Sequence, residues 1–148
     1  FSEDQVQELY ELRARLESYA AARAATRLDP AGLETLRRLA TEMEACVATG
    51  TKAALARFAD LNDRFHQAIL EGARGEHLSA ALRPVLQIQL LLLQRYQHTI
   101  HEHLERSCWH HRELIRAFEL RDPDLAGRQM ELHMLSARSA GPAPTEVP

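Results

Sequence analysis

Residues 55–70 read Leu-Ala-Arg-Phe-Ala-Asp-Leu-Asn-Asp-Arg-Phe-His-Gln-Ala-Ile-Leu. Leu55, Phe58, Phe65 and Ile69 recur at the three- and four-residue steps of one buried helical face. The slot between Phe58 and Phe65 is held by Asn62, and His66 follows one turn later, so an amide and an imidazole project together toward a core. The same periodicity runs outward in both directions, and strand-like alternation is nearly absent. A first helix is expected from about Glu3 to Leu28, with Val6, Leu9, Leu16 and Ala20 as its apolar stripe. Asp29-Pro30 reads as an N-cap followed by proline at the first helical position. The second helix then buries Leu33, Leu36, Ala40, Met43 and Val47, and Gly50 ends it. Thr51 caps the helix containing the opening stretch, which stops near Gly72 to Gly75.

Beyond Gly75 a fourth helix is expected to break or kink at Pro84, because proline lacks an N–H and clashes with the preceding turn. Val85 to about Arg106 reads as a central helix. Ser107 is placed as the cap of a sixth helix ending at Arg121, and Asp122-Pro123 repeats the Asp-Pro start signal for a seventh that ends near Arg138. The fold class is therefore all-α, an antiparallel bundle of six or seven helices with short loops. Residues 1–138 form the expected domain. Residues 139–148 carry three of the six prolines and no periodicity, and read as a disordered tail.

Composition narrows the function. The chain has 148 residues, 45% hydrophobic and 26% charged, which fits one globular domain and excludes a wholly disordered or collagen-like chain. The net charge of −3 gives no basic nucleic-acid footprint. The two cysteines, Cys46 and Cys108, form no CxxC pair and no disulfide framework, so a reducing, cytoplasmic setting is expected, with both as small buried hydrophobes. The longest apolar block, Val85 to Leu93, is interrupted by Gln87 and Gln89, and no membrane span is expected. The first residue is Phe1 rather than Met, from which an upstream part is expected to be missing.

The histidines carry the functional argument. His111 shares a face with Leu114, Ile115 and Phe118, whereas His110 lies on a mixed boundary face. His133 follows Ala126 and Met130 on one face of the last helix. Three helices thus each aim a nitrogen inward, and Asn62 adds a carbonyl oxygen. Such a set suits a divalent transition metal with open positions: zinc, nickel, manganese or iron. The competing reading is a set of core histidines paired inside the bundle, which is the easier reading for each taken alone. Arg13, in the stripe of the first helix, must find an anion or reach solvent: it reads as a clamp for the carboxylate of a small organic acid, or as paired with a carboxylate of the bundle or snorkelling to water. Arg95, after the run Leu90 to Leu93, is a second candidate clamp. His98, His101 and His103 read as a solvated helix end, His77 as exposed, and Asp63 as solvated.

In order along the chain, Val6-Gln7-Glu8-Leu9-Tyr10-Glu11-Leu12-Arg13-Ala14-Arg15-Leu16-Glu17, Asn62-Asp63-Arg64-Phe65-His66, His111-Arg112-Glu113-Leu114-Ile115-Arg116-Ala117, and Arg121-Asp122-Pro123 with Ala126, Met130 and His133 form one pattern. It resembles the FCD domain, the C-terminal effector domain of the FadR subgroup of GntR-type bacterial transcriptional regulators. The resemblance spans roughly residues 3–137. It implies a six- or seven-helix bundle, with a divalent metal held by Asn62, His66, His111 and His133. It also implies a small carboxylate effector on Arg13, a homodimer, and DNA binding through an N-terminal winged helix-turn-helix domain absent here. The family usually has Asp where this chain has Asn62. Asn62 can ligate through its carbonyl oxygen without supplying charge, Asp63 can substitute for it, or the three histidines can act alone. The resemblance implies a sensor rather than an enzyme. The alternatives are a metal-dependent hydrolase on a helical bundle, which the absence of an E-x-x-H frame around the three histidines disfavours, and a metal-free bundle that binds an acyl-CoA-type ligand or is purely structural.

Overall fold

A computed structural model of the chain describes residues 2–95 and 101–138, with no description of the side chains of residues 88–95, 101, 102 and 138. Among the described residues there are six helices: α1 (Glu3–Arg27), α2 (Pro30–Thr49), α3 (Lys52–Ala73), α4 (Glu76–Arg95), α5 (His101–Glu119) and α6 (Pro123–Arg138). The local punctuation does what its chemistry dictates. Asp29 caps α2 through Gly32 N–H, Thr51 caps α3 through Ala54 N–H, and the Asp122 carboxylate accepts from Leu125 N–H at the start of α6. Each such cap is worth about 1 kcal/mol. Gly50 closes α2 at φ 68°, in the left-handed region that costs glycine least.

Two expected boundaries are absent. Pro84 lies inside α4 without ending it. Pro84 and Ala80 are both exposed, so the Ala80 carbonyl that loses its helical partner faces water, while Leu82 and Leu86 hold the helix to the core. Ser107 caps nothing: it is buried within α5, whose helical run begins six residues earlier at His101. The expected central helix from Val85 is therefore the second half of α4, and its continuation through residues 96–100 lies outside the described residues.

The helix α1 packs against α3, α4, α5 and α6, and most extensively against α6. Its buried face is Tyr10, Arg13, Ala14, Glu17, Ala20, Ala21, Ala24 and Ala25, rotated by about one position from the expected stripe, and Val6, Leu9 and Leu16 are only half-buried. Small side chains let α6 approach closely: Ala22 Cβ would lie 3.6 Å from a Cβ on Gly127, and Ser18 Oγ donates to the Gly127 carbonyl at 2.9 Å. A Cβ on Gly127 would stand 3.4 Å from the Ser18 carbonyl oxygen. This close seam brings His133, near the end of α6, beside Arg13 and Glu17. On the other side α2 packs on α3 and α5 through Leu36, Leu39, Met43, Phe58, Leu61 and neighbouring apolar side chains.

Candidate metal centre and effector site

Eight polar or charged side chains are buried among the described residues, and six of them are Arg13, Glu17, Asn62, His66, His111 and His133. Arg13 and Glu17 come from α1, Asn62 and His66 from α3, His111 from α5 and His133 from α6. His66, His111 and His133 each offer one ligating atom, and these atoms lie within 4.8 Å of one another. The rings of His66 and His133 stack with centroids 5.4 Å apart, and His111 stands edge-on to His133 at 4.8 Å. Phe65 lies against the other side of His111 at 4.5 Å and holds it in place.

Hydrogen bonds fix which nitrogen faces which neighbour. His66 Nδ1 lies 2.5 Å from Glu17 Oε1. A carboxylate can only accept, so His66 Nδ1 carries a proton, and Nε2 is the nitrogen that faces inward. His133 Nε2 lies 3.4 Å from His66 Nε2, and His133 Nδ1 lies 3.2 Å from His110 Nδ1. One run of donors satisfies this chain without a cation: His110 Nδ1–H to His133, His133 Nε2–H to His66, and His66 Nδ1–H to Glu17. Reversing the His133 tautomer, with Nδ1–H donated to His110, frees both Nε2 atoms to ligate. Neither ring nitrogen of His111 has a hydrogen-bond partner, nor has Asn62 Oδ1.

The donor set fits a divalent transition metal. Bonds of about 2.0–2.1 Å at tetrahedral angles put two ligating nitrogens about 3.3–3.4 Å apart, and the two facing Nε2 atoms stand 3.4 Å apart. Leaving a buried polar group unpaired costs about 1–3 kcal/mol, and the bare nitrogens of His111 and the bare Asn62 oxygen are groups that an electrophile would satisfy. Burial holds His111 and His133 well below the ordinary histidine pKa, with the neighbouring histidines acting in the same direction, so both are neutral and able to ligate near pH 7. Burial acts to raise the Glu17 carboxyl, but Arg13 and His66 outweigh it and hold the group below the usual carboxylate range.

Arg13 is fully buried, and its Nη2 lies 2.5 Å from Glu17 Oε2. None of its three guanidinium nitrogens makes a hydrogen bond of good geometry, and neither does Glu17 Oε2. The pair is close in distance and misaligned in angle, so the planar fork retains its capacity for a second carboxylate. Of the two readings of Arg13 offered by sequence, the anion of the bundle is present and is Glu17.

The other expectations fall as follows. His66, His111 and His133 are brought together, and Asn62 is buried one turn before His66 with its Oδ1 unpartnered. Asp63 is half-buried, with its carboxyl raised chiefly by desolvation, and it stands outside the ligand group, so it does not replace Asn62 there. The backbone of Arg95 ends α4, but its side chain lies outside the described residues, as do His98 and the side chain of His101. His77 is exposed and His103 half-buried. Cys46 and Cys108 are buried free thiols, and burial pushes Cys108 up to about 12, far from a thiolate ligand. Two participants escaped the sequence reading. Glu17 is signalled only by its i,i+4 spacing from Arg13. His110 was placed on a boundary face, whereas it is buried against His133.

The centre of the helical bundle gathers a three-histidine donor set beside a buried arginine. Residues 8–136 match the family model described as the FCD domain, and the chain belongs to that family of regulatory, effector-binding domains. Among solved structures the fold is similar to a Streptococcus agalactiae GntR protein, with 25% sequence identity and a TM-score of 0.75 over 92% of this chain and 59% of that one. The chain thus spans about three-fifths of that protein's length. No curated protein matches the sequence. Among the described residues, no helix is long and apolar enough to cross a membrane.

Proposed function

We propose that this chain is the sensor domain of a GntR-type transcriptional regulator, in which a divalent metal and a small organic acid bind together in the bundle core. The observation that carries the reading is the convergence of three buried imidazoles within 4.8 Å, two of whose nitrogens, both on His111, have no other partner. His66 and His133 would hold the metal through Nε2, with His111 and the Asn62 carbonyl oxygen completing the protein's share. The metal supplies Lewis-acid attraction for an anionic ligand.

Charge balance points to the class of effector. Arg13 and Glu17 cancel, and burial holds His111 and His133 neutral, so a bound dication adds positive charge in a region from which water is excluded. Buried charge requires a counter-charge. A small carboxylate answers this, with one oxygen toward the metal and the other toward the guanidinium fork of Arg13. Effector binding then acts on α1, which carries Arg13 and touches four of the other five helices. A shift of α1 would alter the pairing of two copies of the domain and the DNA affinity of an N-terminal winged helix-turn-helix domain. Such a switch requires an effector with different affinity for the two arrangements.

The test is a thermal-shift titration with a panel of mono-, di- and tricarboxylates, on chelator-stripped protein and on protein loaded with zinc, nickel, manganese or iron(II). The expected result is that one carboxylate class raises Tm in the metal-loaded protein only, and that Arg13→Met abolishes the rise. A rise of equal size in stripped protein, or none with any metal, contradicts the proposal. Turnover of esters or phosphodiesters that is lost in His111→Ala would replace it with the hydrolase alternative.

A further inference from the structure

Glu17 is a carboxylate that touches both halves of the site. Its Oε1 lies 2.5 Å from His66 Nδ1 and its Oε2 lies 2.5 Å from Arg13 Nη2, and the residue is 2% exposed. Asn62, one turn before His66 on α3, is buried with its Oδ1 unpartnered and carries no negative charge. The donor set itself contains no carboxylate. A dication bound there would have the Glu17 carboxylate one imidazole away, across His66.

We propose that Glu17 is a positioning residue serving metal and effector with opposite sign: through Oε1 it aims His66 Nε2 and supplies the negative charge that Asn62 withholds, and through Oε2 it competes with the effector's carboxylate for Arg13. The inference rests on the proposed metal-and-carboxylate reading. An imidazole whose far nitrogen donates to a carboxylate is fixed in tautomer and orientation and is a more basic ligand, an effect typically worth about 10–100-fold in metal affinity. The same carboxylate lies against the guanidinium that an organic acid would need. An acid that engages Arg13 releases Oε2, leaving more of the Glu17 charge to His66 and the metal. Metal and effector would then favour one another through a shared residue, and that coupling is reciprocal.

The experiment measures Zn²⁺ affinity of the stripped chain by competition with a chelator dye, and then acetate affinity at saturating Zn²⁺, in wild type, Glu17→Gln, Asn62→Asp and the double variant. Glu17→Gln is expected to weaken Zn²⁺ by about 10–100-fold while acetate binds at least as tightly as in wild type. Asn62→Asp is expected to restore most of the Zn²⁺ affinity in the double variant, because it returns the missing charge directly to the metal. A residue that only supports the fold would weaken both ligands and would not be rescued at position 62. That pattern overturns the proposal, as does a Zn²⁺ affinity of Glu17→Gln within about threefold of wild type, below the loss expected from such a partner; in both cases the metal site itself stands. A wild-type chain that binds no Zn²⁺ overturns this inference and the reading beneath it together. If Glu17→Gln fails to fold because Arg13 is left unpaired, the comparison of Arg13→Met with Arg13→Met/Glu17→Gln carries the metal arm, with the same loss expected and the same null result contradicting it.

Discussion

Between α2, α3 and α5 the bundle buries hydrocarbon: Leu36, Leu39, Met43, Phe58, Leu61 and Phe65 are all nearly inaccessible to water. Where α1, α3, α5 and α6 meet, it buries Arg13, Glu17, Asn62, His66, His111 and His133 instead. The first region follows the rule that apolar area removed from water stabilises, at roughly 25 cal/mol per Å². The second breaks that rule, with bare nitrogens on His111 and a misaligned ion pair on Arg13. The difference teaches where each task sits. The apolar block holds the helices in place with enough stability to tolerate a polar centre that, without ligands, contributes little and in places costs. Polar groups left unpaired inside a folded core are the natural mark of a site awaiting a partner.

Substitutions on the two sides should therefore behave differently. Arg13→Ala has the largest expected effect on stability, a loss of about 3–5 kcal/mol, because it leaves Glu17 buried without its counter-ion. Urea unfolding of stripped protein checks this, and a loss below 1 kcal/mol would mean that Glu17 is compensated elsewhere. Leu39→Ala, in the apolar block, is expected to cost about 2–5 kcal/mol with no change in metal stoichiometry. A change in stoichiometry there would merge the two regions. His110→Ala is expected to leave the fold intact and to weaken metal binding by about 10–100-fold, since it removes the Nδ1 partner of His133. An unchanged metal affinity would reduce His110 to a packing residue.

Acid should separate the regions again, by a smaller amount. His111 and His133 have folded-state pKa values well below their ordinary 6.5, so between the two values the unfolded chain binds more protons than the folded one. Stability is thus fully present above pH 6.5 and falls as the pH drops below it. Glu17, held below its ordinary 4.5, adds a second loss only as the pH falls below that value. Stripped protein should therefore melt at a lower temperature at pH 5.5 than at pH 7.5, with His103 and His110, also held below the ordinary histidine value by burial, adding to the shift. His111→Leu should flatten part of this dependence. A Tm independent of pH across this window would mean that the histidines are protonated in the folded state, at odds with a ligating role.

Much of the fold was legible in the sequence because its signals are local. Asp29-Pro30, Gly50-Thr51 and Asp122-Pro123 act on their own neighbours, and those boundaries stand where the chemistry of caps puts them. Pro84 and Ser107 misled for the opposite reason. Whether a proline ends a helix, or a serine caps one, depends on which face meets water and how far the helix already runs, and spacing alone carries neither fact. The three histidines and Asn62 were legible because polar residues in an apolar register stand out. Glu17 and His110 were not. Glu17 lies beside the expected stripe of α1 and is buried on a face rotated from it by about one residue, with α6 packed closely on α1 at Ser18 and Ala22. His110 is buried only because His133 approaches from α6. Both depend on how helices distant in sequence pack, and a one-dimensional pattern does not contain that.

The most direct test is a metal titration of chelator-stripped protein, wild type beside His111→Leu, with bound metal counted by elemental analysis and stability followed by Tm. Wild type is expected to bind one equivalent of zinc, nickel, manganese or iron(II) and to gain stability on binding. His111→Leu is expected to bind none, yet to melt without metal no earlier than the stripped wild type, because an imidazole with no partner is exchanged for hydrocarbon of similar size. Equal metal binding by the two proteins, or a stripped variant destabilised by several kcal/mol, would show that His111 is a satisfied core residue and would contradict the metal centre.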